Sequence, residues 1–134
     1  MPEGKRYAMT AYIQHSNHHS VAPYIHTGVS FNSQHLQYSM DNLIISEAIL
    51  AKLRDKHRVD RREVEQAFGN KCGIFLVDDR EDHQSDPPTL WFVAPTNKGR
   101  LLKVAFIFRD GKIFLRTAYD ADMISQSIYD AKGR

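Results

Sequence analysis

The stretch DDREDHQSDPP, Asp78 to Pro88, sets five carboxylates, Arg80 and His83 between two apolar runs, GIFLV and TLWFVA. Carboxylates and an imidazole at this density are possible ligands for a hard cation or zinc. The spacing argues otherwise. No glycine stands where a calcium loop must turn sharply, and no glutamate closes the loop. Pro87-Pro88 ends the segment in extended form, and a charge run is by default solvated. The expectation is a strand-to-strand loop without a metal, with Arg80 and His83 as its functional members.

The cations are distributed differently. Lys56, His57 and Arg58 close one expected helix, and Arg61-Arg62 open the next. Arg100 and Lys103 follow the turn Asn97-Lys98-Gly99, while Arg109, Lys112 and Arg116 sit on a hairpin. Lys103 and Arg116 interrupt apolar strands. A cation there marks either a solvated strand face or an anionic ligand. Grouped, such residues could hold a phosphate backbone. RNA cleavage without a metal needs a base for the 2′-OH proton, cations for the phosphate and an acid for the leaving oxygen. Lys, Arg, His and Tyr can fill these roles. Cys72 and the serines lack the neighbours of an activated nucleophile, and no glycine-rich phosphate loop is present.

The elements that must position these groups follow from pattern. The chain has 134 residues, 42% of them apolar, which suits one core. A net charge of +2 announces no nucleic-acid binder, so a basic site must come from local clustering. One cysteine excludes an internal disulfide framework and fits a reducing cytoplasm. The longest apolar runs are far short of a membrane span, and no apolar stretch behind Lys5 and Arg6 suggests a secretory signal. Residues 1–39 hold His15, His18, His19, His26 and His35 but only Glu3, Lys5 and Arg6 as charges. They read as a disordered extension, with the folded domain at 40–134.

Within that domain Ser46 can cap a helix running to about Lys56, with Ile49, Leu50 and Leu53 as its buried stripe. Asp60 with Glu63 forms a capping-box pattern ahead of Val64, Ala67 and Phe68, and Gly69-Asn70 ends that helix. Strands are expected at Gly73 to Val77, Thr89 to Ala94, Leu101 to Phe108 and Lys112 to Ala118. Asp110-Gly111 makes the tightest hairpin. On the fourth strand Ile113, Leu115 and Thr117 oppose Phe114, Arg116 and Ala118. Asp120 or Asp122 caps a last helix with Met123, Ile124 and Ile128 inward. The sum is an α+β domain: two N-terminal helices, a four-stranded antiparallel meander and a C-terminal helix, the helices packed on one sheet face.

In order, KHRV, EVEQAF, a charged loop, WFVAPTNKGRLLKVAFIF, a hairpin ending in RTAY and a helix ending in IYD resemble the BrnT-like branch of the RelE ribonuclease-toxin superfamily over about Ser46 to Asp130. Typical members read K-H-G-V, a helix ending in F, G-R-x-L-x-V-V-F, I-S-A-R, and a last helix with Glu and Tyr. The resemblance implies a cytoplasmic RelE/BrnT-like α+β ribonuclease, the toxin half of a type II toxin-antitoxin pair. Its partners would be RNA and a cognate antitoxin, with no membrane and no cofactor. Lys56 and His57 fall on the K-H pair, Arg100 on the G-R arginine, and Ala118 on the alanine of I-S-A-R. Tyr119 stands where the next arginine would, Arg116 lies on the same strand, and Met123 to Ser127 carry no acid. The roles implied are phosphate binding for Arg100 and Arg116, proton transfer for His57 or Lys56, and acid or base-stacking work for Tyr119. Lys103, Arg80 and His83 would contact RNA. The REDH and DPPTLWF segments are also similar to short bacterial proteins named ADP-ribosyl-[dinitrogen reductase] hydrolase. That keeps a hydrolase acting on ADP-ribosylated protein as an alternative, its metal ligands then within Asp78 to Asp86. A non-catalytic binding module of the same fold is the third reading.

Overall fold

The computed structural model describes residues 29–32, 37–80 and 84–134, with side chains from Met40 onward. Helix starts follow cap chemistry. Ser46 Oγ accepts the Ile49 N–H at 3.2 Å and opens α1, Glu47–Lys52. The chain then widens into one π-helical turn, Leu53–His57. Arg58 ends it in the left-handed region, at φ 56° and ψ 45°. Asp60 Oδ1 accepts the Glu63 N–H at 2.8 Å while the Glu63 carboxylate accepts the Asp60 N–H at 3.2 Å, a complete capping box for α2, Arg61–Asn70. Val64, Ala67 and Phe68 are buried, as their spacing requires. Leu50 is not, at 39% exposed. The stripe is narrow, running through half-buried Ile49 to buried Leu53 at i+4, and Leu50 falls at its edge.

Order begins upstream of Met40. β1, Val29–Asn32, and β2, Gln37–Met40, form an antiparallel hairpin inside the expected extension. Met40 closes β2 and is buried, its carbonyl accepting from Arg61 at 2.8 Å. The five histidines of that region lie outside the described residues.

The main sheet contains β3 (Leu43–Ile44), β4 (Leu76–Val77), β5 (Thr89–Pro95), β6 (Leu101–Arg109) and β7 (Lys112–Asp120), in the order β3-β7-β6-β5-β4. β4 to β7 pair antiparallel in sequence order, but β3 pairs parallel with β7, Leu43 opposite Ile113. The chain is thus α+β with a five-stranded mixed sheet, which corrects the four-stranded antiparallel meander preceded by two helices. Asn42 supplies the reason. Its carbonyl accepts the Ile113 N–H and its side-chain amide donates to the Gly111 carbonyl, both at 2.9 Å. Those bonds turn a short apolar lead-in into an edge strand. Asp110 and Gly111 take φ of 54° and 77°, the left-handed pair that a tight two-residue hairpin demands.

A bulge breaks the β6–β7 ladder. Ala105 faces Thr117 and Phe106 faces Leu115, so Arg116 is the extra residue. Leu115 and Ala118 consequently lie buried on the same sheet face, which strict alternation forbids. Without the slip Tyr119 would share the core face with Ile113 and Leu115. With it, Tyr119 sits opposite Lys103 on the other face.

The helices cover both sheet faces, not one. Phe68 of α2 packs on Phe92 at 4.8 Å and Phe106 at 5.3 Å between ring centroids. Trp91, adjacent to Phe92 and so turned the other way, meets Tyr129 of α3, Met123–Lys132, at 6.0 Å. Asp122 caps α3 by accepting the Ser125 N–H at 2.6 Å. The buried residues of α3 are Ser125 and Tyr129, whereas Met123 and Ile124 are 75% and 72% exposed and Ile128 is 40% exposed. The expected inward trio is therefore corrected. Tyr129 sets the phase: it is the largest side chain, and its hydroxyl donates to the Ile74 carbonyl at 2.7 Å. Gly73 permits the approach, since a Cβ there would run into the Gly133 carbonyl and the Tyr129 hydroxyl. Tyr129→Phe is expected to cost about 1 kcal/mol in urea unfolding, while Met123→Ser changes stability by less than ~0.5 kcal/mol.

Candidate functional site

The end of β7 carries Tyr119 and Asp120 out beside the π-helical turn. There Lys56, His57, Tyr119 and Asp120 line a shallow depression of about 330 Å³. The His57 and Tyr119 rings lie 5.3 Å apart, inclined at 39°. Burial pushes the His57 imidazole below its ordinary pKa, Lys52 and Lys56 push it further, and Asp120 opposes them. The ring is mostly neutral at pH 7 and can accept a proton. Burial pushes the Tyr119 hydroxyl up, with the Asp122 carboxylate adding to it, so it keeps its proton. A proton acceptor thus stands beside a proton donor.

Arg100 holds this arrangement from within. Its Nε donates to Asp120 Oδ1 at 2.6 Å. One terminal nitrogen donates to the Arg58 carbonyl at 2.6 Å and to Glu63 at 3.2 Å. The other donates to the His57 carbonyl at 2.8 Å and Asp120 Oδ2 at 3.2 Å. These bonds use all five guanidinium N–H groups. Arg100 is therefore a clamp joining the π-helical turn, the head of α2 and the end of β7.

The clamped turn contains a strained residue. Arg58 is left-handed at the position where the K-H-G-V pattern carries glycine. A β-carbon there costs roughly 1 kcal/mol, and the Arg58 contact with Arg100 uses only the backbone carbonyl. Arg58→Gly is expected to raise the unfolding free energy by about 0.5–1 kcal/mol, checked by urea denaturation.

A larger cavity of about 400 Å³ opens on the α3 face of the sheet. Trp91, Lys103 and Tyr119 form its floor, the segment from Asp78 to Arg80 one wall, and Ile124 and Ile128 the other. Lys103 Nζ rests 4.4 Å from the centroid of the Trp91 ring. Burial lowers the Lys103 pKa and Arg80 adds to the effect, while Asp78 and Asp122 oppose it. Arg80 forks onto Asp78 at 3.0 and 2.8 Å. Tyr119 lines both cavities.

The structure thus brings Lys56, His57 and Tyr119 together, and sets Lys103 and Arg80 on the far side of Tyr119. Arg116 is exposed at the bulge and lines neither cavity. His83, with Glu81 and Asp82, lies outside the described residues. Among the described residues no three His, Cys, Asp or Glu side chains group as metal ligands, and no helix is long and apolar enough to cross a membrane. Sequence reasoning missed Trp91, Asp120 and Asp122. The one available signal was register: pairing Lys103 with Val93 and Tyr119 puts Lys103 and Tyr119 on the sheet face that carries Trp91. Comparison with protein-family models, with curated proteins and with solved structures gave no match to this chain.

Proposed function

We propose that the surface centred on Tyr119 binds RNA and that the His57–Tyr119 pair cleaves it. The chain would then be the toxin-like member of a type II toxin-antitoxin pair of RelE/BrnT-like type, with a cognate antitoxin as its protein partner. One observation carries the reading: the His57 and Tyr119 rings lie 5.3 Å apart between centroids, with Lys56 lining the depression on one side and Lys103 lining the cavity on the other. His57 takes the 2′-OH proton, and the 2′-oxygen attacks phosphorus. The bond to the 5′-oxygen breaks as Tyr119 protonates it, leaving a 2′,3′-cyclic phosphate and a 5′-hydroxyl. Lys56 and Lys103 offset the charge that develops on the phosphate oxygens.

The saturated Arg100 favours a second reading, a non-catalytic RNA-binding module, because it removes the strongest cation from phosphate stabilisation. Induced expression of the full chain in a bacterial host, beside His57→Gln and Tyr119→Phe versions, separates the two. Growth arrest with cyclic-phosphate RNA ends, lost in both variants, supports cleavage. RNA bound by the purified chain but left intact moves the assignment to the module.

A further inference from the structure

We infer that the larger cavity, between α3 and the Asp78–Arg80 wall, is a pocket for a single nucleobase. The inference deepens the RNA reading by naming what part of the polymer this side of Tyr119 takes. Size comes first. About 400 Å³ falls in the ~300–1,000 Å³ range of small-ligand sites and leaves no room for a partner helix.

The lining narrows the chemistry. Ile124 and Ile128 face the cavity from α3 and remain 72% and 40% exposed, because the helix buries Ser125 and Tyr129 instead. A ligand that covers them must present an apolar face. The floor is aromatic and cationic at once: Lys103 over Trp91, with Tyr119 alongside. A hydrocarbon ligand would desolvate the Lys103 ammonium further while offering it no acceptor. A bare phosphate would find Arg80, Lys103 and Lys132 on the lining but also Asp78, Asp79 and Asp122, and would leave the isoleucines uncovered. A flat heteroaromatic ring with donors and acceptors on its edge answers all three demands, and unstacked bases are recognised this way. Its faces cover the isoleucines and Tyr119, its acceptors meet Lys103, and its amino or imino groups meet the carboxylates.

Geometry ties the pocket to the proposed chemistry. Tyr119, part of the floor, also lines the depression that holds Lys56 and His57. A base seated against it places the neighbouring phosphate toward that pair. Trp91 is the only tryptophan in the chain and part of the cavity floor, so its emission reports occupancy directly.

The test titrates the full chain with AMP, GMP, CMP, UMP, ribose 5-phosphate and a short single-stranded RNA, reading Trp91 fluorescence. Saturable quenching by at least one nucleotide, absent with ribose 5-phosphate, is expected. Ile124→Glu, at an exposed position, is expected to weaken that binding about tenfold or more with an unchanged urea midpoint. An oligonucleotide binding far more tightly than any mononucleotide identifies the base as part of an RNA strand, whereas equal affinities identify a free nucleotide. Equal responses to ribose 5-phosphate and the nucleotides, no saturable quenching by any probe, or unchanged binding in Ile124→Glu overturns the pocket. The two readings fail separately. A chain that binds nucleotides but leaves RNA intact keeps the pocket and loses the cleavage reading. One that cleaves RNA with no base-dependent quenching does the reverse.

Discussion

Arg100→Ala is expected to lower the unfolding free energy by about 3 kcal/mol in urea denaturation at pH 7. The side chain is 27% exposed and bridges two carboxylates and two backbone carbonyls drawn from three separate segments. Its removal leaves the Glu63 charge with one partner fewer and strands the His57 and Arg58 carbonyls. Arg100→Lys should recover less than half of the loss, because an ammonium has three donors and no fork. The acid side gives an independent check. The hydrogen bond from Arg100 is the main cause holding the Asp120 carboxyl below its usual range. A depressed carboxyl stabilises the fold above its unfolded pKa, near 3.9, and loses that contribution as pH falls through the folded value. The gap between the wild-type chain and Arg100→Ala should therefore narrow below about pH 4. A loss under ~1 kcal/mol, or a gap that stays constant with pH, would show that the clamp is ornamental.

If the chain cleaves RNA as proposed, His57→Gln is expected to reduce that cleavage by roughly 10²–10⁴-fold, the usual contribution of a general base. The pH profile makes the assignment specific. Burial, Lys52 and Lys56 lower the imidazole pKa. Activity should rise with pH along an acid limb centred below about 6.5 and hold until Tyr119 ionises, above about 10. Lys52 acts on the imidazole only through its charge and lines neither cavity. Lys52→Gln should move the acid limb upward and leave the plateau rate unchanged. A limb at or above 6.5 that ignores Lys52→Gln would remove His57 from the base role.

The parts of the fold that were legible in sequence are those decided within a few residues. Asp60 and Glu63 satisfy each other's N–H groups across three positions, so the capping box can be read directly. Asp110-Gly111 declares its hairpin through the left-handed backbone it tolerates. What stayed hidden was settled at long range. The parallel pairing of β3 depends on Asn42 meeting Gly111 and Ile113. The phase of α3 depends on Tyr129 finding the Ile74 carbonyl, which outweighs the three more obviously apolar side chains. The same division runs through the candidate site. Lys56, His57 and Tyr119 could be singled out by residue type and resemblance. The bulge that turns Tyr119 away from the core leaves no mark in the pattern of β7. Arg100 could be noticed but not understood, since half of its acceptors are backbone carbonyls, which every residue has.

The register between β3 and β7 also sets a schedule. Leu43 and Ile44 leave the ribosome before α1 and α2, yet their ladder partners, Ile113 and Phe114, follow 70 residues later. His57 likewise waits for Tyr119. At ~5–20 residues per second that interval lasts on the order of several seconds. During it α1 and α2 have no complete sheet to pack on, and His57 stands without the Tyr119 ring. Synthesis of β7 is thus the step that both closes the β3 edge and brings the Tyr119 ring beside His57.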